Sequence, residues 1–487
     1  MPDTIFLDQY TKKVNDSYVG FELYKGRKVK PVHVANGVFR ALYGRIQNTA
    51  GVKKFALVES KKGIIGYETS AVWQELVDDG RLEPTIREEE FDAARRVIQK
   101  LLDADSAVFI DKSKSDHMLS FSLSSKYFIT SKALYEDAGE FIGGVIRTAC
   151  PALTDYIVSL LDDASDPISQ LFLPVISGGD GHAVTVENQF EHLFPAHTRN
   201  AFVKRFIASI EAGGTCFLQN LQNQPNAFTR LRLFNIFCIF SLFRYISYLE
   251  AFYTAAKLPP ILLDFSGKSE ESIADASSAM YANIRRSLSR FCSWAHAQIL
   301  EERYTADQLR HSADPVRKSG AVSPETKDAI RSIWNMAKHE AADAEDSAAY
   351  IAFGRAINNI LARETDFHPG NYIRALGLLS GILYPPNSSN NRFVISQDVL
   401  EMLLMCTVDP EMPVTGTTIR KRLWERCGVL IGGTSFEEDV LEASEVVLQT
   451  DTDALEQNFK NFAQTMQDLG FADVKADGIL QIHLGGA

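Results

Sequence analysis

The sequence contains none of the short motifs that mark a nucleotide-binding or zinc-dependent enzyme. Its Gly-Gly pairs stand in neither G-x-x-x-x-G-K-[ST] nor G-x-G-x-x-G, and His339-Glu340 lacks the second histidine of H-E-x-x-H. No catalytic residue and no cofactor is therefore predicted from motifs. This absence favours a protein that acts by binding other molecules.

Cysteine is scarce, and no C-x-x-C pair occurs. Thiols that lie far apart in the sequence are typical of reduced, buried side chains. A reducing cytoplasm is therefore the expected location. The six cysteines are Cys150, Cys216, Cys238, Cys292, Cys406 and Cys427.

The chain also lacks an excess of positive charge. Its formal net charge is -12 and its pI is near 5.4. A negative surface repels phosphate at long range, so a protein whose whole surface binds nucleic acid or anionic lipid is disfavoured. Local basic patches remain compatible with this composition.

No strongly apolar run of membrane-spanning length is free of charge. The most apolar segment, residues 231–253, contains Arg232, Arg244 and Glu250, and each charge at the centre of a lipid-facing helix costs roughly 2.5–3.5 kcal/mol. We therefore expect a core helix here and no membrane partner. The N-terminus lacks the basic and apolar regions of a secretory signal, which agrees with a cytoplasmic protein.

The chain does contain enough apolar residues for a large core. With 487 residues, of which 45% are hydrophobic, two to four domains are expected. The patterns predict an α+β multidomain protein that is mainly α. Its expected parts are a small strand-rich α+β N-terminal domain over residues 1–130, an irregular helical domain over residues 131–383 and a winged-helix-like domain over residues 392–487.

The N-terminal part alternates apolar and polar residues in short runs, as half-buried strands do. An acidic first turn at residues 88–90 then opens a helix to about residue 102. From residue 131 the apolar spacing becomes helical, without a fixed repeat that would indicate a solenoid. The strands are predicted at residues 18–24, 29–34, 55–58, 63–67, 107–110 and 118–123.

The C-terminal part follows a linker rich in proline, serine and asparagine at residues 384–391. Ser396 is a suitable N-cap for one helix, Thr417 or Thr418 for a second, and a third amphipathic helix ends at Gly470. The turn at residues 476–478 predicts a hairpin. Helices followed by a hairpin are the ingredients of a winged helix.

The second of these helices, over residues 418–426, is the candidate for contact with DNA. In such modules a helix can enter the major groove while the wing touches the backbone, and cations neutralise phosphates. Acidic residues surround the segment, so the alternatives are a solvated basic face paired with neighbouring acids and a protein-docking face. The candidate DNA-binding residues are Thr418, Arg420, Lys421, Arg422 and Arg426.

The best enzymatic candidate is a glycine-rich segment with nearby histidines. Asp180, His182, His192 and His197 lie within about twenty residues, and imidazoles with a carboxylate can hold a metal ion. Their spacing matches no established zinc signature, so a glycine-rich interdomain loop is the alternative. A metal-dependent hydrolase would need all four side chains to converge.

Two C-terminal segments carry a resemblance to a known group of proteins. RKRLWERCGVLIGGTSFEEDVLEA and FKNFAQTMQDLGFADVKADGILQI, within roughly the last 90 residues, resemble the C-terminal ends of accessory proteins encoded in bacterial phage-defence operons. The resemblance implies a non-catalytic subunit that binds other protein subunits. The favoured function is therefore an adaptor in a bacterial complex. A metal-dependent hydrolase and a DNA-binding regulator are the alternatives.

Overall fold

The computed structural model describes most of the chain. The described residues are 5–24, 29–46, 58–60, 63–65, 67–83, 85–104, 126, 129, 137–163, 182–268, 271–316, 323–364, 368–433, 435–444, 452–476 and 478–484. Helices account for most of them, so the expectation of a mainly α protein is confirmed.

The longest helices lie in the middle of the chain. The helices before residue 200 are α1 (Leu7–Val14, continued by a π-helical turn, Asn15–Val19), α2 (Pro31–Tyr43), α3 (Thr69–Asp78), α4 (Glu88–Ala104), α5 (Asp137–Ala149), α6 (Pro151–Asp162) and α7 (Gln189–Leu193). The next are α8 (Ala201–Gln222), α9 (Ala227–Tyr253), α10 (Ser272–Glu301), α11 (Ala306–Arg310), α12 (Pro324–Ala341), α13 (Asp346–Glu364) and α14 (Pro369–Leu379). The last are α15 (Gln397–Met405), α16 (Gly416–Arg422, continued by a π-helical turn, Leu423–Cys427), α17 (Ser435–Ala443) and α18 (Thr452–Asp468).

The strands are short, and some of their pairings join distant parts of the chain. They are β1 (Arg45–Ile46), β2 (Val58–Ser60), β3 (Gly63–Ile65), β4 (His182–Ala183), β5 (Ile261–Leu262), β6 (Val414–Thr415), β7 (Val429–Leu430), β8 (Ala472–Val474) and β9 (Leu480–Ile482). β1 pairs with β4, β2 with β3 and β5 with β7, and the order of the three-stranded sheet is β6-β9-β8. The β5–β7 pair is parallel and the others are antiparallel.

Two of the strands predicted near the N-terminus are wrong. Tyr18 and Val19 complete the π-helical turn after α1, and residues 31–34 begin α2. Every residue of α2 from Pro31 to Leu42 is buried. A helix that is covered on all sides has no polar face, so its period of 3.6 residues is hidden and a short apolar run resembles a strand. The described residues of the N-terminal part are therefore mainly helical.

Other expectations for this part have mixed outcomes. The hairpin around the Lys-Lys-Gly turn is confirmed as β2 and β3, which pair from Ser60↔Gly63 to Val58↔Ile65. The helix with the acidic first turn is confirmed as α4. The strands predicted at residues 107–110 and 118–123 lie outside the described residues.

The apolar segment over residues 231–253 forms most of α9, which is a core helix as expected. By length and composition α9 could cross a membrane, but 89% of its most apolar window is buried inside the protein. Its acidic residue Glu250 accepts two hydrogen bonds from Arg290 on α10, at 2.6 and 2.7 Å. Arg232 near its start pairs with Asp398 at the start of α15. The polar groups of this helix thus bind neighbouring helices.

Contacts cross both of the predicted domain boundaries. Buried apolar side chains from Ile5 to Ile482 form one hydrophobic cluster. α1 and α2 pack against the central helices α9 and α10, and β5 of the middle region pairs with β7 of the C-terminal region. The three-part division stays a prediction, but the three parts share a core.

The predicted linker at residues 384–391 is tied to the protein by hydrogen bonds. Arg374 of α14 donates to the side-chain oxygen of Asn391 at 2.8 Å and to the carbonyl of Pro386 at 2.9 Å. Just beyond it, Arg392 pairs with Asp264 at 2.6 Å, and the Asp264 side chain is fully buried. Because these contacts hold both ends of the segment, it is a structured connection between α14 and α15.

Candidate functional site

The candidate metal residues lie around the short α7 and the strand before it. His182 is in β4, where its backbone pairs with Ile46 of β1. His192 in α7 and His197 in the following turn are both exposed. Asp180 and the side chain of His182 lie outside the described residues. Within the described part of the chain, no three His, Cys, Asp or Glu side chains are grouped to hold a metal ion, and the four-residue site stays a prediction.

The basic segment forms a helix, but it begins earlier than expected. Thr415 is the N-cap, and its hydroxyl accepts a hydrogen bond from the backbone N–H of Thr418 at 3.3 Å. The side chain of Thr418 is half-buried, with its Oγ1 3.0 Å from that of Thr415. Gly428 ends the π-helical turn in the left-handed region, at φ 68°. The predicted caps Thr417 and Thr418 are thus wrong, whereas the predicted stop at Gly428 is confirmed.

Three of the four cations in this segment contact other parts of the protein. Arg420 is 9% exposed, lies 4.6 Å from the centre of the Phe459 ring and stands 3.8 Å from the buried carboxylate of Glu437. Arg422 donates two hydrogen bonds to Asp409, at 2.9 and 3.0 Å. Arg426 donates to the carbonyl of Cys406 at 3.0 Å. These guanidinium groups join α16 to the segment after α15 and to α17 and α18.

Lys421 differs from its neighbours because its side chain is 71% exposed, with Glu425 at 3.9 Å. An exposed ion pair of this kind contributes little to stability and leaves the ammonium group free to approach another molecule. Of the predicted DNA-binding residues, Lys421 is therefore the one whose replacement tests phosphate contact without disturbing the fold.

Replacing Arg420 with alanine is expected to lower the free energy of unfolding by about 2–4 kcal/mol, because it removes a buried cation next to Glu437 and over Phe459. Replacing Lys421 with alanine is expected to change it by less than about 0.5 kcal/mol. Urea unfolding of the two variants measures both values. Equal, small effects would contradict a structural role for Arg420.

The last helix, α18, is anchored by a buried side-chain amide. The side-chain amide of Asn458 donates to the carbonyls of Leu263 and Ile431 at 2.8 and 2.6 Å, and its oxygen accepts from the backbone of Phe265 at 2.8 Å. Because Leu263 follows β5 and Ile431 follows β7, Asn458 fixes α18 against this parallel pair. The opposite face of α18 is left to solvent.

The solvent-facing side of α18 is acidic. Its exposed charged residues are three carboxylates and one ammonium group, namely Asp453, Glu456, Asp468 and Lys460. Lys460 is already paired with Glu456 at 3.0 Å. This face therefore has the wrong sign of charge for phosphate.

The hairpin that follows α18 exposes apolar side chains. Val474 is 54% exposed and Ile479 is 46% exposed, at the end of the β8–β9 hairpin, and Leu469 at the end of α18 is 39% exposed. The sequence pattern located the hairpin but not these residues, because an alternating strand always has one face turned to solvent. A signal in the sequence that could have pointed to these side chains is that a helix stands directly before the hairpin.

The buried cysteines Cys406 and Cys427 have shifted pKa values. Burial raises the pKa of the Cys406 thiol, whereas a hydrogen bond from Cys406, together with the cations of Arg244 and Arg426, lowers the pKa of Cys427. Both thiols are nearly inaccessible, at 1% and 3% exposure. Both thiols therefore belong to the core.

Cys292 and His296 share a face of α10 but do not form a nucleophile and its base. Burial raises the pKa of Cys292 to about 12 and lowers the pKa of His296 to about 3. The hydroxyl of Tyr24 lies 3.0 Å from Nε2 of His296. The histidine is thus neutral and the thiol protonated at neutral pH, as expected for core residues.

No protein-family model matches this chain, and no curated protein matches it.

Proposed function

We propose that this chain is a non-enzymatic adaptor subunit of a bacterial multi-protein complex, and that its C-terminal part is a winged-helix module that docks another protein. In this proposal the protein works in the cytoplasm without a membrane partner or a cofactor. The resemblance of the last segments to accessory proteins of phage-defence operons supports a role in anti-phage defence.

The order of elements supports the winged-helix part of the proposal. β6 is followed by α16, and α18 leads directly into the hairpin of β8 and β9. The returning strand β9 pairs antiparallel with both β6 and β8. A winged helix has this arrangement, with the first strand beside the last. α17 and β7 are then insertions between its second and third helices.

This assignment changes which helix would meet a partner. In winged-helix proteins that read DNA, the helix before the wing enters the groove. That helix is α18, rather than the basic α16. The observation that carries the proposal is therefore the surface formed by α18 and the wing, which is the β8–β9 hairpin. This surface offers acidic and apolar groups, whereas a winged helix that binds DNA needs cations there.

A protein partner fits this surface better than a duplex does. The acidic face of α18 repels phosphate, whereas Val474 and Ile479 lose unfavourable contact with water when a partner covers them. A partner with a complementary surface would present basic side chains to α18 and an apolar pocket to the wing.

Tagged full-length chain expressed with its genomic neighbours is expected to co-purify with at least one of them. Replacing both Val474 and Ile479 with aspartate should abolish this association, because it places charges in the apolar contact. The matched control replaces Met336 and Leu379, which are 70% and 49% exposed elsewhere, with aspartate. Quantitative pull-down measures the difference between the two double variants.

Two results would count against the adaptor proposal. One is a chain that purifies alone and monomeric beside its genomic neighbours. The other is duplex binding at low salt that weakens when Lys421 is replaced with glutamate, since this would point to the DNA-binding regulator instead.

A further inference from the structure

A recess that is open to solvent lies between the beginning of α12 and the end of α13. The two helices pack side by side and are connected only by residues 342–345, so the start of one lies beside the end of the other. They are joined through the rings of Trp334 and Phe353, whose centres lie 4.8 Å apart. The recess encloses about 180 Å³. An apolar cavity of about 150 Å³ holds a benzene molecule, so this recess has room for one ring or one branched aliphatic group.

The inner surface of the recess is aliphatic. Ile330 from α12 and Ile360 from α13 are 5% and 1% exposed, and the half-buried Ala329 and Ile333 extend this surface along α12. An apolar group that enters the recess leaves water together with these side chains, which favours binding. The volume is below the roughly 300–1,000 Å³ of pockets for drug-sized molecules, so the recess suits a smaller ligand than a nucleotide.

A cation without a partner also lines the recess. Arg363, near the end of α13, is exposed, and its guanidinium group forms no hydrogen bond or ion pair with any described residue. The half-buried Thr326 lines the recess from α12, and its hydroxyl accepts a hydrogen bond from the hydroxyl of Ser323 at 3.2 Å, which leaves its own hydrogen atom for a ligand. A guanidinium group and a hydroxyl are both donors that a carboxylate accepts from.

An anion lines the same recess. Glu325, in the first turn of α12, is exposed and has no ion-pair partner within the described part of the chain. A hydrogen bond from its own backbone N–H lowers the pKa of its carboxyl, which is therefore charged at neutral pH. Because Glu325 and Arg363 are not paired with each other, both are available to a ligand that carries charges of both signs. A ligand with a carboxylate alone would be repelled by Glu325.

We propose that this recess binds a free α-amino acid with an apolar side chain. The carboxylate of the amino acid accepts hydrogen bonds from Arg363 and Thr326, and its ammonium group pairs with Glu325. Its side chain fills the space between Ile330 and Ile360. The proposal is independent of the adaptor function, because none of these residues belongs to α18 or the wing.

Calorimetric titration of the full-length chain with L-phenylalanine and, separately, with L-leucine tests the proposal. Saturable binding of one molecule per chain is expected for at least one of the two. Glycine, which has the same charged groups but no side chain, should bind at least about tenfold more weakly. Absence of saturable binding for both amino acids, or equal affinity for glycine, would overturn the proposal.

Analogues that lack one charged group test the two ends of the ligand. They are hydrocinnamate and phenethylamine for L-phenylalanine, and isocaproate and isoamylamine for L-leucine. Each should bind about tenfold more weakly than the parent amino acid, because one charge-assisted hydrogen bond is lost. An analogue that binds as tightly as its parent would contradict the proposed pairing at that end.

Two variants assign each protein charge to one end of the ligand. Arg363→Gln should weaken binding of the amino acid about tenfold without weakening binding of the amine, which has no carboxylate. Glu325→Gln should weaken binding of the amino acid by a similar factor without weakening binding of the deaminated acid. Both side chains are exposed and without ion pairs among the described residues, so the thermal midpoint should stay unchanged.

Lys327→Gln is the matched control. It removes an exposed cation from the first turn of α12 that does not line the recess, so the affinity should stay unchanged. Equal weakening by Lys327→Gln and Arg363→Gln would indicate general attraction between charges and overturn the proposal. Equal weakening of the amino acid and the amine in Arg363→Gln would overturn it as well.

Discussion

Replacing Gly354 with alanine is expected to lower the free energy of unfolding by about 3 kcal/mol or more, because a methyl group does not fit where α13 crosses α10. A Cβ at Gly354 would lie 2.2 Å from the carbonyl oxygen of Ser293 and 2.7 Å from the backbone nitrogen of Ala297. Both atoms belong to the backbone of α10, which cannot move aside as a side chain can. The two helices must therefore separate or shift.

The matched control is Gly213→Ala in α8. There the nearest atoms to a new Cβ are the Cβ and carbonyl oxygen of Arg426, both at 3.6 Å, which is ordinary contact. Alanine favours a helix over glycine by up to about 1 kcal/mol, so this variant should be as stable as the natural chain or slightly more stable. Urea unfolding of both variants measures the contrast. Equal stability of the two variants would contradict the close crossing.

Acid is expected to destabilise the natural chain more than a His296→Gln variant. Burial lowers the pKa of His296 to about 3 from an ordinary value of 6.5. The unfolded chain therefore binds a proton at this residue between these pH values, whereas the folded chain does not. Stability associated with the neutral histidine is complete above pH 6.5 and is lost as the pH falls toward 3.

The expected loss is about 1.4 kcal/mol for each pH unit below 6.5, or about 3 kcal/mol by pH 4.5. The groups around the imidazole, Tyr24 and Cys292, are neutral across this range because burial raises both of their pKa values. Denaturant unfolding of both proteins at several pH values gives the difference, in which the other titrating groups largely cancel. A difference that stays constant from pH 7 to pH 4.5 would show that His296 is protonated in the folded protein.

The elements that could be predicted from the sequence have a local cause. α4 begins with three glutamates that favour a helix N-terminus. Ser396 caps α15 through its hydroxyl, which accepts a hydrogen bond from the backbone of Val399. Gly428 and Gly470 stand in the left-handed conformation where helices end. Each of these effects involves only a few neighbouring residues, so it can be predicted from the sequence.

The failures concern residues whose environment is set by distant parts of the chain. Residues 29–34, which include the first turn of α2, have the pattern of a strand because neighbours on all sides of this helix hide its period. DNA contact through the cations of α16 stays a prediction, but the pattern along the chain did not reveal that Arg420 contacts Phe459 and that Arg422 contacts Asp409. No local pattern distinguishes an arginine that faces solvent from one that joins two helices.

The sequence by itself determined that this protein is mainly helical, that its thiols are unpaired and that its C-terminal part contains capped helices and a hairpin, because propensity, capping and charge act locally. Only the tertiary structure decided that α18 turns an acidic face to solvent beside an apolar hairpin, and that Arg420 and Arg422 are held against Phe459 and Asp409. Those features depend on which distant segments pack together. The free energy of packing is a property of the whole core, in which residues from Ile5 to Ile482 take part.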